Sequence, residues 1–301
     1  MPVLQQSPKS VFLVRPSHFC FNQQTAITNH FQNASATHGD WKNLALVEFD
    51  NLIQKLQDAG ILVTFFNDTE SPIKPDSIFP NNWISCHETG EIILYPMLTP
   101  NRREERRMDI VSNLQDKYGY SRILDLSHYE KENMFLEGTG SVVFDHKNRI
   151  AFACTSERTH ETVLNDLCQF INYNKCIFSA KDEQGRAVYH TNVVLSICSE
   201  FVLVSQEALD NNPEFRQVLL QTNRKVISLF NKQIKNFAAN SLEVLNQDGH
   251  RKLIISTRGW GSLTLEQQNI ILASCGVITS NVETIETVGG GGIRCMLTGL
   301  Y

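Results

Sequence analysis

The sequence lacks the features of a nucleic-acid-binding protein or a membrane protein. Its 301 residues carry a formal net charge of −5, and no lysine- or arginine-rich run is long enough to form a basic binding tract. No apolar run approaches the roughly 20 residues that are needed to cross a bilayer. Residues 1–9 lack the charged-then-apolar pattern of a secretory signal. We therefore expect neither a nucleic-acid partner nor a membrane partner.

The sequence also lacks the cysteine spacing of a metal or redox site. None of its eight cysteines forms a C-x-x-C pair, and no two Cys or His residues stand at the offsets of a zinc ribbon or an H-E-x-x-H helix. In a chain of this length without a signal segment, scattered cysteines favour reduced thiols. The sequence predicts a cytoplasmic protein that holds no metal and needs no cofactor.

What the chain does have is a run of four glycines, 289–292, followed by Ile293, Arg294 and Cys295. Glycine lets the backbone approach a ligand closely, because no Cβ stands in the way. A cysteine directly after such a run lies on a tight loop of the kind that presents a nucleophile, although most free cysteines are buried and inert. Residues 296–301 are mainly apolar, which is not typical of a flexible tail.

Short apolar runs alternate with helical patterns along the whole chain. Residues 41–59 and 103–118 are predicted helices, and residues 140–145 are a predicted strand. Two strands, a helix and a third strand recur four or five times, at intervals of roughly fifty residues. Hairpins that open each unit fit a doubly wound parallel sheet poorly, because parallel strands need crossovers. We therefore favour an α/β fold with a single domain, residues 1–301, as a closed propeller whose site lies at the central channel.

Three segments place polar residues at the ends of predicted strands. Asn81 and Asn82 precede Trp83 in the first, a pattern that is also typical of a simple turn. In the second, Glu137 lies between apolar and glycine residues, and glutamate is rarely buried without a partner or a function. In the third, His190 precedes an apolar strand, where a structural histidine is common. Paired with a cysteine and an acid, such a histidine becomes a candidate general acid/base.

Together with the glycine run, these segments resemble the guanidine-modifying superfamily with the pentein fold. The residues that carry the resemblance are Glu-Gly-Thr-Gly at 137–140, the segment around His190 and Gly-Gly-Gly-Gly-Ile-Arg-Cys-Met at 289–296. The superfamily includes arginine deiminases, dimethylarginine hydrolases and glycine amidinotransferases. The resemblance implies a closed propeller of five ββαβ units with pseudo-five-fold symmetry. It also implies that Cys295 is the nucleophile, His190 the general acid/base and Glu137 a carboxylate that holds the reacting nitrogens.

Two further matches concern the amino-acid end of the substrate. Ser-Glu-Arg-Thr at 156–159 is similar to a family segment whose arginine binds the substrate carboxylate, which implies that role for Arg158. Asn-Arg-Arg-Glu at 101–104 is similar to a second segment with the same task, which implies it for Arg102. Arginine suits the role because its planar fork can meet a carboxylate with two hydrogen bonds. The alternative for Arg102 and Arg103 is a solvated helix start.

The chain departs from the guanidine-hydrolysing members at two positions. Where they have aspartates, it has Asn82 and, two residues after His190, Asn192. A guanidinium is cationic and carries only donors, whereas a ureido group is neutral and has a carbonyl oxygen that needs a donor. Because asparagine has both a donor and an acceptor, the pair favours a ureido amino acid, with citrulline the leading candidate. The chain most resembles the citrulline-hydrolysing branch of the superfamily.

These residues together predict a cysteine hydrolase that converts citrulline to ornithine, ammonia and carbon dioxide through a covalent thiol intermediate. Protonated His190 and the backbone donors of the glycine loop are expected to stabilise the thiolate. The alternatives are hydrolysis of arginine or methylarginine, amidino transfer to an amine, and a catalytically silent binding protein on the same fold. The partner is a small amino-acid substrate, and assembly as a homodimer is left open, as is the loop that closes the site.

Overall fold

Five three-stranded sheets form the frame of the molecule. The computed structural model describes residues 4–33 and 39–301. In chain order, the strands are β1 (Ser10–Arg15), β2 (Leu62–Asn67), β3 (Ile84–Cys86), β4 (Glu91–Leu94), β5 (Arg122–Asp125), β6 (Val142–Asp145), β7 (Ile150–Cys154), β8 (Asn174–Phe178), β9 (Leu195–Ile197), β10 (Phe201–Ser205), β11 (Lys225–Leu229), β12 (Leu242–Leu245), β13 (Arg251–Ser256), β14 (Gly276–Ser280) and β15 (Thr298–Leu300).

Helices of very different length connect these strands. They are α1 (Gln23–Ala26), α2 (Trp41–Asp58), α3 (Pro100–Arg103), α4 (Met108–Tyr118), α5 (Gly138–Ser141), α6 (Glu161–Ile171), α7 (Gln206–Asn211), α8 (Pro213–Gln221), α9 (Asn231–Lys235), α10 (Thr257–Ser262), α11 (Leu265–Leu272) and α12 (Ile293–Met296). Shorter 3₁₀ turns cover Pro80–Asn82, Ser127–Glu132 and Thr191–Val193, and a π-helical turn covers Ile285–Gly289. Within the described ranges, no helix combines the length and apolar character that a membrane crossing requires.

All five sheets share one strand order. In the second sheet, β4 lies between β3 and β5, antiparallel to the first and parallel to the second. The same pattern holds for β6–β8, β9–β11 and β12–β14. A helix connects the two parallel strands of each unit, as parallel pairing requires. These helices are α2, α4, α6, α8 and α11. The predicted five-unit ββαβ propeller, the pentein fold, is confirmed.

The first sheet is completed by the C-terminal strand. β1 is parallel to β2 and antiparallel to β15, with Val11 opposite Gly299. Residues 298–300, which follow the glycine run and Cys295, therefore form an edge strand of the first unit. The sequence analysis did not predict this strand. Since the ββαβ order begins with β15 in this unit, the unit is assembled from both ends of the described chain.

Packing of the first unit also holds the residues around Cys295. Helix α2 begins after Asp40, whose side chain accepts a hydrogen bond from the backbone of Asn43 and so caps the helix. Its buried face consists of Ala45, Phe49, Leu52, Ile53 and Leu56. Burying each of the larger side chains contributes about 1.5–3 kcal/mol. The same apolar cluster includes Ile293, Cys295 and Met296, so the loop is anchored on the core of this unit.

The predicted helix over 103–118 is wrong in its first third. The chain forms the short helix α3, then a turn through residues 104–107, and only then α4. Arg106 donates to the carbonyl of Tyr95, while Arg102 and Glu105 are both 3% exposed and pair with each other. Arg102 and Glu105 therefore face inward while Glu104 is exposed, and the alternative of a solvated helix start is excluded for Arg102.

Candidate active site

One small buried cavity receives side chains from several of the five units. Its lining consists of Asn29, Asp76, Phe79, Asn82, Arg102, Tyr189, His190, Gly289, Gly290, Gly291 and Cys295. Four of the seven predicted site residues are in this lining. The other three contact members of it: Glu137 binds His190, the guanidinium of Arg158 lies over the ring of Tyr189, and Asn192 contacts the sulfur of Cys295. The structure therefore brings all seven to the cavity or directly beside it.

Two glycines of the 137–140 segment are required by its geometry. The predicted strand over 140–145 begins only at Val142, because residues 138–141 form the single-turn helix α5. Gly138 has a φ of +48°, and a Cβ there would lie 2.2 Å from the carbonyl oxygen of Asn81. A Cβ on Gly140 would lie 2.4 Å from Nδ2 of Asn82 and 2.7 Å from Nδ1 of His190. The absence of a side chain at Gly140 therefore leaves room for both of these polar atoms.

The glycine loop brings the backbone close to aromatic and polar neighbours. Gly290 has a φ of +66°, and its carbonyl accepts hydrogen bonds from Asn29 at 3.2 Å and from the hydroxyl of Tyr189. A Cβ on Gly291 would lie 3.0 Å from the ring of Phe79 and 3.3 Å from the Cβ of Cys295. The loop is thus held from several sides immediately before the cysteine, which is 2% exposed.

Glu137 and His190 form a buried acid–imidazole pair. Oε2 of Glu137 lies 2.8 Å from Nε2 of His190 and 3.1 Å from Nη1 of Arg158. Its other oxygen accepts a hydrogen bond from the backbone of Leu98 at 3.0 Å. Burial acts to raise the pKa of Glu137, but Arg158 and His190 outweigh it and hold that pKa well below its ordinary value. Glu137 therefore orients the imidazole in this structure, and its predicted contact with the reacting nitrogens of a substrate stays a prediction.

Two side-chain amides contact the sulfur of Cys295. Nδ2 of Asn240 lies 3.4 Å from Sγ, and Nδ2 of Asn192 lies 3.5 Å from it. Burial raises the pKa of the thiol, while these hydrogen bonds and the nearby charge of Arg294 act in the opposite direction. In this substrate-free structure the sulfur is therefore in its thiol form near neutral pH, with donors in place for the thiolate.

The imidazole is neutral near pH 7 as well. Burial lowers the pKa of His190 to about 4, although the hydrogen bond to Glu137 acts to raise it. The sequence-based expectation that protonated His190 stabilises the thiolate does not fit this environment. The donors that reach the sulfur are the amides of Asn192 and Asn240, and His190 is placed to accept a proton, since Glu137 occupies Nε2 and leaves Nδ1 for transfer.

The amide of Asn82 is oriented by a buried arginine. Nη1 of Arg102 donates to Oδ1 of Asn82 at 2.8 Å, and Arg102 also meets Glu105 with two hydrogen bonds of 2.9 Å. Because a guanidinium has only donors, the carbonyl end of the amide must face Arg102. Nδ2 of Asn82 is then the unpaired end of the amide: it is buried without a hydrogen-bond partner beside Gly140, on a residue that lines the cavity.

Contacts of the two predicted carboxylate-binding arginines are largely internal. The fork of Arg102 is occupied by Glu105, as described above. Arg158 is 2% exposed and donates to Glu137, to the backbone carbonyl of Thr25 and to the hydroxyl of Thr28. Carboxylate binding by either arginine therefore stays a prediction, and both act in this structure as supports for other site residues.

Sequence analysis missed three parts of the site. Asn240 is a polar residue just before a strand, the same signal that identified His190. Asp76 lines the cavity, and its Oδ1 is buried without a hydrogen-bond partner. The segment 23–33 covers the glycine loop: Gln32 donates to the carbonyl of Gly289, and Phe31 packs against Tyr189. The sequence carries no motif for these contacts.

Comparison with known proteins identifies a matching family. The family model described as N,N dimethylarginine dimethylhydrolase, eukaryotic, matches residues 15–301. The match therefore covers every strand of the ring except the first five residues of β1. No curated sequence shows significant similarity to the chain.

Several solved structures have the same fold at low sequence identity. The substrate-bound N-terminal domain of a mutant of ArgZ, an arginine dihydrolase from the ornithine-ammonia cycle in cyanobacteria, has a TM-score of 0.74 and 15% identity over 97% of both chains. AgrE in a ternary complex with ornithine and NAD⁺ has a TM-score of 0.75 and 16% identity over 97% of this chain and 39% of its own. An adduct of dimethylarginine dimethylaminohydrolase with 4-chloro-2-hydroxymethylpyridine has a TM-score of 0.68 and 16% identity over 97% and 100%.

Proposed function

Because the chain belongs to the N,N dimethylarginine dimethylhydrolase family, hydrolases that act on C–N bonds, we propose that it hydrolyses the ureido group of citrulline. The products are ornithine, ammonia and carbon dioxide. Cys295 is the nucleophile, His190 the general acid/base and Glu137 the carboxylate that orients His190. The cytoplasmic location and the homodimer stay predictions from the sequence.

The orientation of Asn82 is the observation that carries this proposal. Its Nδ2 is a buried donor without a partner, because Arg102 holds the carbonyl end, and Asn82 lines the cavity. A ureido oxygen can accept that hydrogen bond, whereas a guanidinium presents only donors to it. A buried polar mismatch of this kind discriminates between substrates by several kcal/mol, up to about 10⁴-fold. Asn82 therefore favours the neutral substrate.

The proposed mechanism begins with both catalytic groups neutral. As the thiol of Cys295 attacks the ureido carbon, its proton passes to Nδ1 of His190, and a C–S bond forms. The imidazolium then protonates the nitrogen that departs, the C–N bond breaks, and His190 is neutral again. Water then adds to the carbonyl–enzyme intermediate with His190 as base, and the C–S bond breaks, which returns the thiol and releases a carbamate. The carbamate takes up the proton and loses carbon dioxide as the second C–N bond breaks, which frees the remaining amine. One citrulline and one water thus give one ornithine, one ammonia and one carbon dioxide.

A second candidate is hydrolysis of a guanidino substrate, either once or through both C–N bonds. Asp76 favours it, since its Oδ1 is a buried carboxylate oxygen without a hydrogen-bond partner at the cavity. A cationic guanidinium would satisfy that oxygen. Complete conversion of arginine to ornithine passes through a ureido group, so this candidate also needs the donor of Asn82 in its second half.

The two candidates are separated by product analysis with three substrates. The protein is incubated separately with citrulline, arginine and dimethylarginine, and ornithine, citrulline and ammonia are measured over time. We expect ornithine and ammonia from citrulline and little product from the other two. Ornithine from arginine would favour the double hydrolysis, and citrulline from arginine with no ornithine from citrulline would overturn the proposed substrate.

Variants of cysteine test the nucleophile in the same assay. Cys295→Ala should abolish ornithine formation, because no other thiol lines the cavity within the described residues. Cys168→Ala is the matched control, since Cys168 is a buried cysteine of helix α6 that is packed in a different apolar cluster. Activity that survives Cys295→Ala, or is lost equally in both variants, would contradict the role of Cys295.

A further inference from the structure

We propose that Asn240 is a further catalytic residue, whose side-chain amide stabilises the thiolate of Cys295. The inference rests on the proposed function only in taking Cys295 as the nucleophile. Asn240 lies in the segment between α9 and β12, and its side chain reaches the sulfur from a unit other than the one that carries Cys295 or His190.

Three contacts define the position of the amide. Asn240 is fully buried, and its Nδ2 donates to Sγ of Cys295 at 3.4 Å and to the backbone carbonyl of Asn192 at 3.1 Å. Its Oδ1 accepts a hydrogen bond of 3.0 Å from the backbone N–H of Arg294. The side chain therefore joins the loop that carries the nucleophile to the turn that follows His190.

These partners settle which end of the amide faces the sulfur. A backbone N–H can only donate and a backbone carbonyl can only accept, so Oδ1 must face Arg294 and Nδ2 must face Asn192. The second hydrogen of Nδ2 is then directed at Sγ. Rotating the amide by 180° would break both backbone contacts and leave two buried groups unsatisfied.

The fourth residue of the glycine run makes this arrangement possible. A Cβ on Gly292 would lie 2.7 Å from Oδ1 of Asn240. Real Cβ atoms do not approach a neighbour so closely, so a side chain at this position would displace the amide. Part of the glycine run is thus needed to admit Asn240, in addition to shaping the loop around Cys295.

The charged and titratable groups around the sulfur explain why an amide is needed. They are Arg294 on the same short helix, Tyr189 and His190 from the facing turn, and Asp76 and Arg102 across the cavity. His190 is neutral near pH 7, and a ureido substrate brings no positive charge. Hydrogen bonds to an ionised sulfur are stronger than those between neutral groups, and low local dielectric strengthens them further. Asn240 and Asn192 therefore supply stabilisation that no adjacent imidazolium provides.

The test measures the thiol directly and needs no substrate. Cys295 in the substrate-free protein is alkylated with iodoacetamide between pH 7 and pH 10, and the modified peptide is quantified by mass spectrometry. Asn240→Asp replaces the donor with an anion, and Asn240→Ala removes the donor without adding charge. We expect the alkylation rate of Cys295 at a fixed pH to fall about tenfold or more in both variants, which corresponds to a pKa raised by one unit or more.

Two controls separate this role from a structural one. Asn236→Asp adds the same charge four residues away, on a side chain that contacts the carbonyl of Lys232, and should leave the alkylation rate unchanged. Gly292→Ala moves the amide without altering Asn240, and it should also slow alkylation of Cys295; it serves where the Asn240 variants do not fold. Alkylation profiles equal to wild type in folded variants, with only turnover reduced, would overturn the proposal. That result would not change the products that the wild-type protein forms from citrulline, so the proposed substrate and the proposed role of Asn240 can fail independently.

Discussion

Oε2 of Glu137 lies 2.8 Å from Nε2 of His190, and the same oxygen is 3.1 Å from Nη1 of Arg158. The three groups form a buried chain in which the arginine holds the carboxylate and the carboxylate holds the imidazole. Such an arrangement fixes the ring orientation and stabilises the imidazolium that forms when His190 accepts a proton. Catalysis by His190 should therefore depend on the charge of Glu137 as well as on its shape.

Glu137→Gln should lower kcat for citrulline by about 10²–10³-fold, because a neutral amide cannot stabilise the imidazolium. The measurement is steady-state kinetics, with a thermal melt to verify that the variant is folded. Glu132→Gln, which removes a charge from an exposed position, is the control and should retain wild-type kcat. Equal kcat in the two variants would show that His190 does not depend on the carboxylate.

Gly140→Ala should inactivate the protein with the ring still assembled. The added Cβ would fall 2.4 Å from Nδ2 of Asn82 and 2.7 Å from Nδ1 of His190, so both polar groups must move. Gly261→Ala is the matched control, because a Cβ there meets nothing within 4 Å. We expect at least about a 10²-fold loss of kcat/KM only in Gly140→Ala, in line with the cost of a small misplacement of catalytic groups. Circular dichroism checks the fold, and loss of activity in both variants would contradict the argument.

Arg102→Lys distinguishes two roles for Arg102. If Arg102 orients Asn82, then kcat/KM falls for citrulline and by a similar factor for an alkylurea that lacks the α-carboxylate and the α-amino group. If Arg102 instead binds the substrate carboxylate, the loss is confined to citrulline. The structure favours the first outcome, since the fork of Arg102 is occupied by Glu105 and Asn82. The measurement is the ratio of kcat/KM values for the two compounds in wild type and variant.

His87 should make the folded state sensitive to mild acid. Burial lowers the pKa of His87 to about 4 from its ordinary 6.5. Between these values the unfolded chain binds a proton that the folded protein does not, so this group stabilises the fold fully above pH 6.5 and progressively less as the pH falls to 4. The effect is about 1.4 kcal/mol per pH unit.

His87→Gln should remove that dependence. Urea denaturation of both proteins at pH 7 and pH 5 gives the free energies of unfolding. We expect the difference between wild type and variant to be about 2 kcal/mol smaller at pH 5 than at pH 7, because about 1.5 pH units lie between pH 6.5 and pH 5 and each costs the wild type about 1.4 kcal/mol. A difference that is the same at both pH values would mean that His87 does not titrate in this range.

The repeated ββαβ pattern could be predicted because it is local. Helix α2 shows a clean apolar period, and each hairpin lies within a short stretch of chain, so the pattern is visible without knowledge of tertiary contacts. Strand β15 could not be recognised in this way, since it is three residues long, contains Gly299 and pairs with a strand far away in the sequence. The predicted helix over 103–118 includes residues 104–107, which form a turn, because the sequence does not show that Arg102 and Glu105 pair with each other inside the protein.

In the site, too, the residues in local motifs could be predicted and those placed by contacts between distant segments could not. Cys295, His190 and Glu137 belong to short motifs with unusual composition, and the structure places them in one cluster with Asn82 and Asn192. Asn240 stands outside any such motif, and only the folded chain shows that it reaches the sulfur. The orientation of a side-chain amide also cannot be read from the sequence. Nδ2 of Asn82 is the unpaired end because Arg102 binds the carbonyl oxygen, and no pattern of residue types shows that contact.

Because β15 pairs with β1, the position of the short helix that carries Cys295 depends on closure of the ring of five units. Ser10 lies opposite Leu300, and Cys295 is only three residues from the start of β15. Contacts between segments this far apart carry the largest loop-closure entropy and tend to form late in folding. Cys295 should therefore meet the amides of Asn192 and Asn240 only when the circle of five units is complete, so that a partly folded molecule carries the thiol without these two donors.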